Sequence, residues 1–112
     1  MPANPVSRAQ FNLQSERTTS GITVRGTGRI TSTTCAIFEN RLSQLVSRNK
    51  RIVLDLTNVD YIDSSGLGAL VAVYMHARRA GCDLEIANPK SRIKDLFSRS
   101  GLGSVFKGPY FM

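Results

Sequence analysis

The run Arg51-Ile52-Val53-Leu54-Asp55-Leu56 constrains this chain more than any other stretch. It is nearly all apolar and rich in β-preferring side chains, and a run buried on both faces suits a central strand flanked by helices. The flanks agree. Before it, Phe38, Leu42, Leu45 and Val46 fall at i, i+4, i+7 and i+8, on one helical face. After it, Leu67, Leu70, Val71 and Tyr74 line one face of a second helix. At 112 residues, one compact domain is the natural expectation.

The remaining segments extend this plan. Residues 1–10 hold two prolines and little periodicity, and are read as a flexible N-terminal tail ahead of a domain over 11–112. Phe11-Asn12-Leu13-Gln14-Ser15-Glu16 alternates apolar and polar, and Ile22-Thr23-Val24-Arg25 repeats this after the turn Thr18-Thr19-Ser20-Gly21, which predicts a β-hairpin. Ser32, Thr33 or Thr34 can cap the first helix, which ends at Asn49 or Lys50. The second helix starts at Ser64-Ser65, carries Arg78 and Arg79 near its negative end, and stops at Gly81. Leu84-Glu85-Ile86-Ala87 reads as a strand, and Asn88-Pro89 as a cap followed by proline in the first turn. A third helix then buries Ile93, Leu96 and Phe97 and stops at Gly101, and Val105-Phe106 adds a short last strand. The order is β-β-α-β-α-β-α-β: an α/β fold with a mixed, largely parallel sheet and helices packed against it.

Composition excludes several classes. Hydrophobic residues make up 41% and charged residues 21%, too apolar for general disorder. Cys35 and Cys82 are isolated, which argues against a disulfide scaffold and for a reducing, cytoplasmic setting. The apolar stretch Ala69–Met75 is far short of the roughly 20 residues needed to span a bilayer, so no membrane insertion is expected. The first residues lack the pattern of a signal peptide. The chain is basic, with 15 Lys+Arg against 8 Asp+Glu and a formal charge of +7. Its positive residues are scattered, however, with no nucleic-acid motif among them, so direct nucleic-acid binding is not expected.

Chemistry concentrates in Val59-Asp60-Tyr61-Ile62-Asp63-Ser64-Ser65-Gly66-Leu67-Gly68, which joins a strand to a helix and leaves two hydroxyls at the junction. A helix start offers unpaired N–H groups and a partial positive charge, so Ser64 is placed to carry a phosphate beside the N–H groups of Gly66, Leu67 and Gly68. The plainer reading makes Ser64 an ordinary helix-start residue. Asp63 either caps the helix or orients the Ser64 hydroxyl, the cap being the simpler task, and Ser65 supplies a supporting hydroxyl bonded to backbone.

Catalytic readings fare worse. Residues 62–66 read Ile-Asp-Ser-Ser-Gly, not the Gly-x-Ser-x-Gly of a nucleophile elbow. The sole histidine, His76, lies roughly three turns further along the same helix. Gly66-Leu67-Gly68 lacks the third glycine of a dinucleotide loop, since Val71 stands there, and no metal-ligand spacing occurs. The chain therefore reads as a non-enzyme without a cofactor.

Three segments carry a family resemblance. Val53-Leu54-Asp55-Leu56 with Val59–Gly68, the turn Ala80-Gly81-Cys82-Asp83-Leu84, and Leu96-Phe97-Ser98-Arg99-Ser100-Gly101-Leu102 together resemble the STAS family, over about residues 10–107. The family takes its name from sulfate transporters and anti-sigma factor antagonists. The resemblance implies a STAS-like fold and a protein-binding switch of the bacterial antagonist type. In that group the serine after the aspartate, here Ser64, is phosphorylated by an anti-sigma factor that is itself a serine kinase. The unphosphorylated antagonist binds that kinase and frees the sigma factor, and a PP2C-type phosphatase resets the cycle. The implied partner surface comprises Ser64, Ser65, the turn Thr31-Ser32-Thr33 and the first part of the second helix. Where the family often has Gly-Glu-Leu-Asp, this chain has Gly28-Arg29-Ile30-Thr31. The alternative is a non-switching STAS subunit of a cytoplasmic complex, such as a bacterial lipid-transport ABC system. An exposed first strand would allow a monomer or a weak homodimer.

Overall fold

The computed structural model describes residues 11–101. The expected tail at 1–10, the expected strand at Val105-Phe106 and the end of the domain to residue 112 lie outside the described residues. Four strands, β1 (Phe11–Arg17), β2 (Ile22–Ile30), β3 (Arg51–Ile62) and β4 (Asp83–Ala87), form one mixed sheet in the order β1-β2-β3-β4. The first pair is antiparallel, as the hairpin pattern predicts, and the next two pairs are parallel. Helices α1 (Cys35–Val46), α2 (Ser64–Arg79) and α3 (Ser91–Arg99) alternate with the strands in the expected order.

The central strand differs from its expected burial. Ile52, Leu54 and Leu56 are fully buried, but Val53 and Asp55, on the opposite face, are only half-buried. That second face is a lattice of charges. Arg25 faces Glu16 at 3.2 Å and Asp55 at 3.5 Å, while Arg51 reaches Asp83 at 2.9 Å and Glu85 at 3.2 Å. The apolar core thus lies on one side of the sheet, and burying each of its large side chains contributes about 1.5–3 kcal/mol. β3 also runs to Ile62, well past its apolar stretch, with register shifts against β2 between Arg25 and Thr27 and between Gly28 and Arg29.

The helices show three further corrections. α1 stops at Val46, because the Asn49 side chain donates to the Leu45 carbonyl at 2.9 Å in place of another helical turn. α2 buries Gly66, Ala69, Leu70, Val73, Tyr74 and Ala77, so Leu67 and Val71 sit at the edge of its buried stripe and stay half-exposed. The helix contains small residues at 66, 69 and 77 that let it approach the sheet, and these shift the stripe toward them. α3 begins at Ser91 with Lys90 as its N-cap residue. Asn88 does not cap it: this residue adopts φ 56° and donates its amide to Asp55 Oδ1 at 3.3 Å.

The α2 terminus follows expectation. Gly81 has φ +75°, its N–H donates to the Arg78 carbonyl at 3.3 Å, and the Cys82 N–H reaches the Ala77 carbonyl at 2.8 Å. This paired closure at a left-handed residue is the Schellman arrangement, and glycine takes it without steric cost. On the far side of the core, the Phe11 and Phe38 rings meet edge to face with centroids 5.8 Å apart, which ties β1 to α1. Among the described residues, no helix is long and apolar enough to cross a membrane.

Candidate functional site at the start of α2

Parallel pairing brings the site together. Ile30 at the end of β2 stands in register with Ile62 at the end of β3, so the chain leaves both strands at the same sheet edge. One exit leads through Thr31, Ser32 and Thr33 into α1, and the other through Asp63 into α2. In parallel sheets this carboxyl edge is where binding groups usually collect.

Asp63 joins the two exits. Its Oδ1 accepts the Gly66 N–H at 2.8 Å, so it caps α2, as the cap reading of this residue predicts. Its Oδ2 accepts the Ser32 N–H at 3.2 Å from the other loop. The backbone contributes as well: the Asp63 N–H donates to the Ile30 carbonyl at 3.2 Å, and its carbonyl accepts the Leu67 N–H at 2.8 Å. Both carboxylate oxygens are thus engaged by backbone, and among the described residues the Ser64 hydroxyl makes no hydrogen bond to Asp63.

Gly66 explains how close the elements come. A Cβ at this position would lie 1.9 Å from the Ile30 carbonyl oxygen, so only glycine lets the first turn of α2 pass the end of β2. The β2–α1 turn is held by its own hydroxyls. Thr34 is buried, its Oγ1 donates to the Arg29 carbonyl at 2.8 Å, and it accepts the Thr31 N–H at 2.9 Å. Thr34 is the N-cap residue of α1 without a capping side-chain bond, because its hydroxyl is used in this way. Thr31 Oγ1 accepts the Thr33 N–H at 3.3 Å. Ser32 and Thr33 are exposed and Thr31 is half-buried.

Ser64 and Ser65 are both exposed as the first two residues of α2. Among the described residues, neither hydroxyl makes a hydrogen bond, so Ser65 does not bond to backbone as expected. The amides also differ from expectation. Gly66 and Leu67 donate to Asp63, and Gly68 lies a turn inside the helix, so these three do not offer free N–H groups to a phosphate. Among the described residues, the N–H groups of Ser64 and Ser65 are left without an acceptor.

Beside Ser64 opens a groove of about 500 Å³, bounded by the end of β3, the start of α2 and one side of α3. Ile62, Leu67, Ile93 and Leu96 form its apolar part, and Arg92 and Arg99 supply positive charge. A smaller hollow of about 310 Å³ adjoins it, lined by Arg29, Asp60, Tyr61 and Arg92. Tyr61 is 45% exposed. Asp60 pairs with Lys90, and this bond, with the charges of Lys90, Arg29 and Arg92, holds the Asp60 carboxyl below the ordinary carboxylate range.

Tyr61, Leu96 and Arg99 lie inside the segments that carry the family resemblance and Arg92 outside them, but the sequence reading assigns none of the four to the site. A signal for them was present: Arg92, Leu96 and Arg99 fall at i, i+4 and i+7, a single stripe beside the buried Ile93 and Phe97. Nothing in that spacing tells which element the stripe faces.

The chain belongs to the STAS domain family, whose model matches residues 12–111. It is 26% identical over 95 residues to the anti-sigma-B factor antagonist of Bacillus subtilis (strain 168), spanning 85% of this chain and 87% of that protein. An anti-sigma factor antagonist from Mycobacterium paratuberculosis shares the fold with a TM-score of 0.72 at 22% identity, over 88% of this chain and 84% of that one. The anti-sigma factor antagonist SpoIIAA in its unphosphorylated form matches with a TM-score of 0.69 at 19% identity over 86% of each chain. The phosphorylated form of SpoIIAA, a Bacillus cell fate determinant, matches at 0.65 and 19% over 86% and 89%.

Proposed function

We propose that this protein is a cytoplasmic, non-enzymatic anti-sigma factor antagonist switched at Ser64. With Ser64 unmodified it binds a kinase-type anti-sigma factor and frees the sigma factor. Phosphorylation of Ser64 by that kinase releases the complex, and a PP2C-type phosphatase restores the binding form. The observation that carries this reading is the Ser64 hydroxyl, exposed and unengaged on the first residue of α2, beside a turn that Asp63 ties to the same edge. The relatives named as anti-sigma factor antagonists, and SpoIIAA in two phosphorylation states, support it.

The physical effect of the switch is local. A phosphate adds about −1.5 to −2 charges and three strong acceptors, which are unfavourable against an apolar or acidic partner surface. A loss of about 3–4 kcal/mol lowers affinity several hundredfold, enough to end a regulatory complex. Incubation with the cognate anti-sigma factor and ATP, followed by mapping of the modified residue, tests the reading. The modification is expected at Ser64, absent from Ser64→Ala, with Ser64→Asp binding the partner weakly; modification elsewhere, or none, would overturn it.

A further inference from the structure

We propose that Arg92 and Arg99 of α3 receive the phosphate of modified Ser64 across the groove that the three residues share. This inference rests on Ser64 being the modified residue. The start of α2 is poorly equipped to hold the phosphate by itself. Its capping carboxylate, Asp63, is the neighbouring residue and repels a dianion, and it already occupies the Gly66 N–H. The two remaining free amides belong to Ser64 and Ser65.

The opposite wall of the groove offers what the helix start lacks. Arg92 and Arg99 are exposed, and among the described residues neither makes a hydrogen bond or an ion pair. They stand two turns apart on one stripe of α3, and each guanidinium can present a fork of N–H donors that fits phosphate oxygens. The other charged groups around the groove are of both signs. From β2, Arg29 lines the adjoining hollow together with Arg92. From β3, Asp60 draws on the charge of Arg92 but pairs directly with Lys90, and from α3 itself the exposed Asp95 lies one turn from both arginines and, among the described residues, forms an ion pair with neither. Asp63 is the remaining acid on the lining, with both oxygens on backbone N–H groups. The groove therefore contains two arginines that, among the described residues, form no hydrogen bond or ion pair, together with an apolar lining, and Ser64 on the same lining becomes a dianion when modified.

The test places phosphoserine at position 64 of the full chain by genetic encoding and follows its ³¹P resonance against pH. The second ionisation of free phosphoserine lies near pH 6. In the otherwise unaltered protein it is expected about half a unit to one unit lower, because cations favour the dianion. Arg92→Gln with Arg99→Gln is expected to remove most of that lowering, and Arg92→Lys with Arg99→Lys to keep much of it. These side chains are exposed, and circular dichroism checks that both variants remain folded. Identical titrations in the unaltered and Gln-substituted proteins, or no lowering in the first, would overturn the proposal. Because no kinase is used, failure here leaves the Ser64 switch standing. A kinase that ignores Ser64 likewise leaves the titration result intact.

Discussion

Ser32 donates its backbone N–H to the Asp63 carboxylate at 3.2 Å, a bond across 31 residues of chain that links the turn before α1 to the cap of α2. Asp63 thereby sets both the start of the helix that carries Ser64 and the position of the loop beside it. Asp63→Ala is expected to lose about 1 kcal/mol for the cap and about another 1 kcal/mol for the Ser32 bond. Asp63→Asn retains one acceptor oxygen and is expected to lose roughly half as much. Urea unfolding measures both, and an Asp63→Ala midpoint equal to that of the parent would contradict the hub role.

Gly66 and Gly68 lie two residues apart and are expected to respond in opposite directions. Gly66→Ala forces a methyl group to within 1.9 Å of the Ile30 carbonyl oxygen, and backbone must move to relieve it. A destabilisation of about 3 kcal/mol or more is expected. A methyl group at Gly68 would meet nothing within 4 Å beyond its own stretch of helix backbone, and the residue is exposed, so Gly68→Ala is expected to stabilise the protein by about 0.5–1 kcal/mol. Thermal unfolding of the pair checks the contrast.

Asp55 predicts an acid limb in the stability curve. Burial pushes its carboxyl upward, but the Thr57 hydroxyl and N–H, the Asn88 amide and the charge of Arg25 outweigh that and leave it below its ordinary value. A depressed carboxyl stabilises the fold fully above its unfolded value of about 3.9, and the contribution is lost as pH falls through the folded value. Asp55→Asn is expected to cost about 1–2 kcal/mol at pH 7 and to show a flatter decline below pH 5. Parallel acid slopes in urea midpoints from pH 7 to 3 would contradict this assignment.

The two thiols are expected to react at different rates. Cys82 is 4% exposed, and burial, with Asp83 beside it, pushes its thiol up. Cys35 is half-buried at the start of α1, its Sγ 3.8 Å from the Ser32 carbonyl. Iodoacetamide is expected to modify Cys35 first and Cys82 only after unfolding, as peptide mapping over time would show. A docked anti-sigma factor is expected to slow the Cys35 reaction, since that thiol adjoins the Ser32 turn.

Much of the architecture was legible because local signals agreed. The hairpin at Phe11–Arg25, the helical stripe of Phe38 and Leu42, the glycine stop at Gly81 and the aspartate cap at Asp63 each depend on neighbours close in sequence. The site was legible in its centre for the same reason: a helix start declares itself through its own cap. Its surroundings were less so. Leu67 resembles a core residue by spacing, but the small residues of α2 turn it toward the groove, where it lines the wall beside Ser64. Asn88 resembles a cap by its place before Pro89, but a carboxylate from another strand claims its amide.

The amino-acid sequence alone determined the order of strands and helices and the placing of a serine, behind a capping aspartate, on the first turn of α2. Periodicity, turn chemistry and capping act over a few residues, and one chain contains them in full. Tertiary structure alone decided that the central sheet buries one face and leaves Arg25, Asp55 and Arg51 on the other. It also decided that Ser32 meets Asp63, and that Arg92 and Arg99 share a groove with Ser64. Such meetings depend on strand register and helix rotation, which the packing of the whole core sets at once.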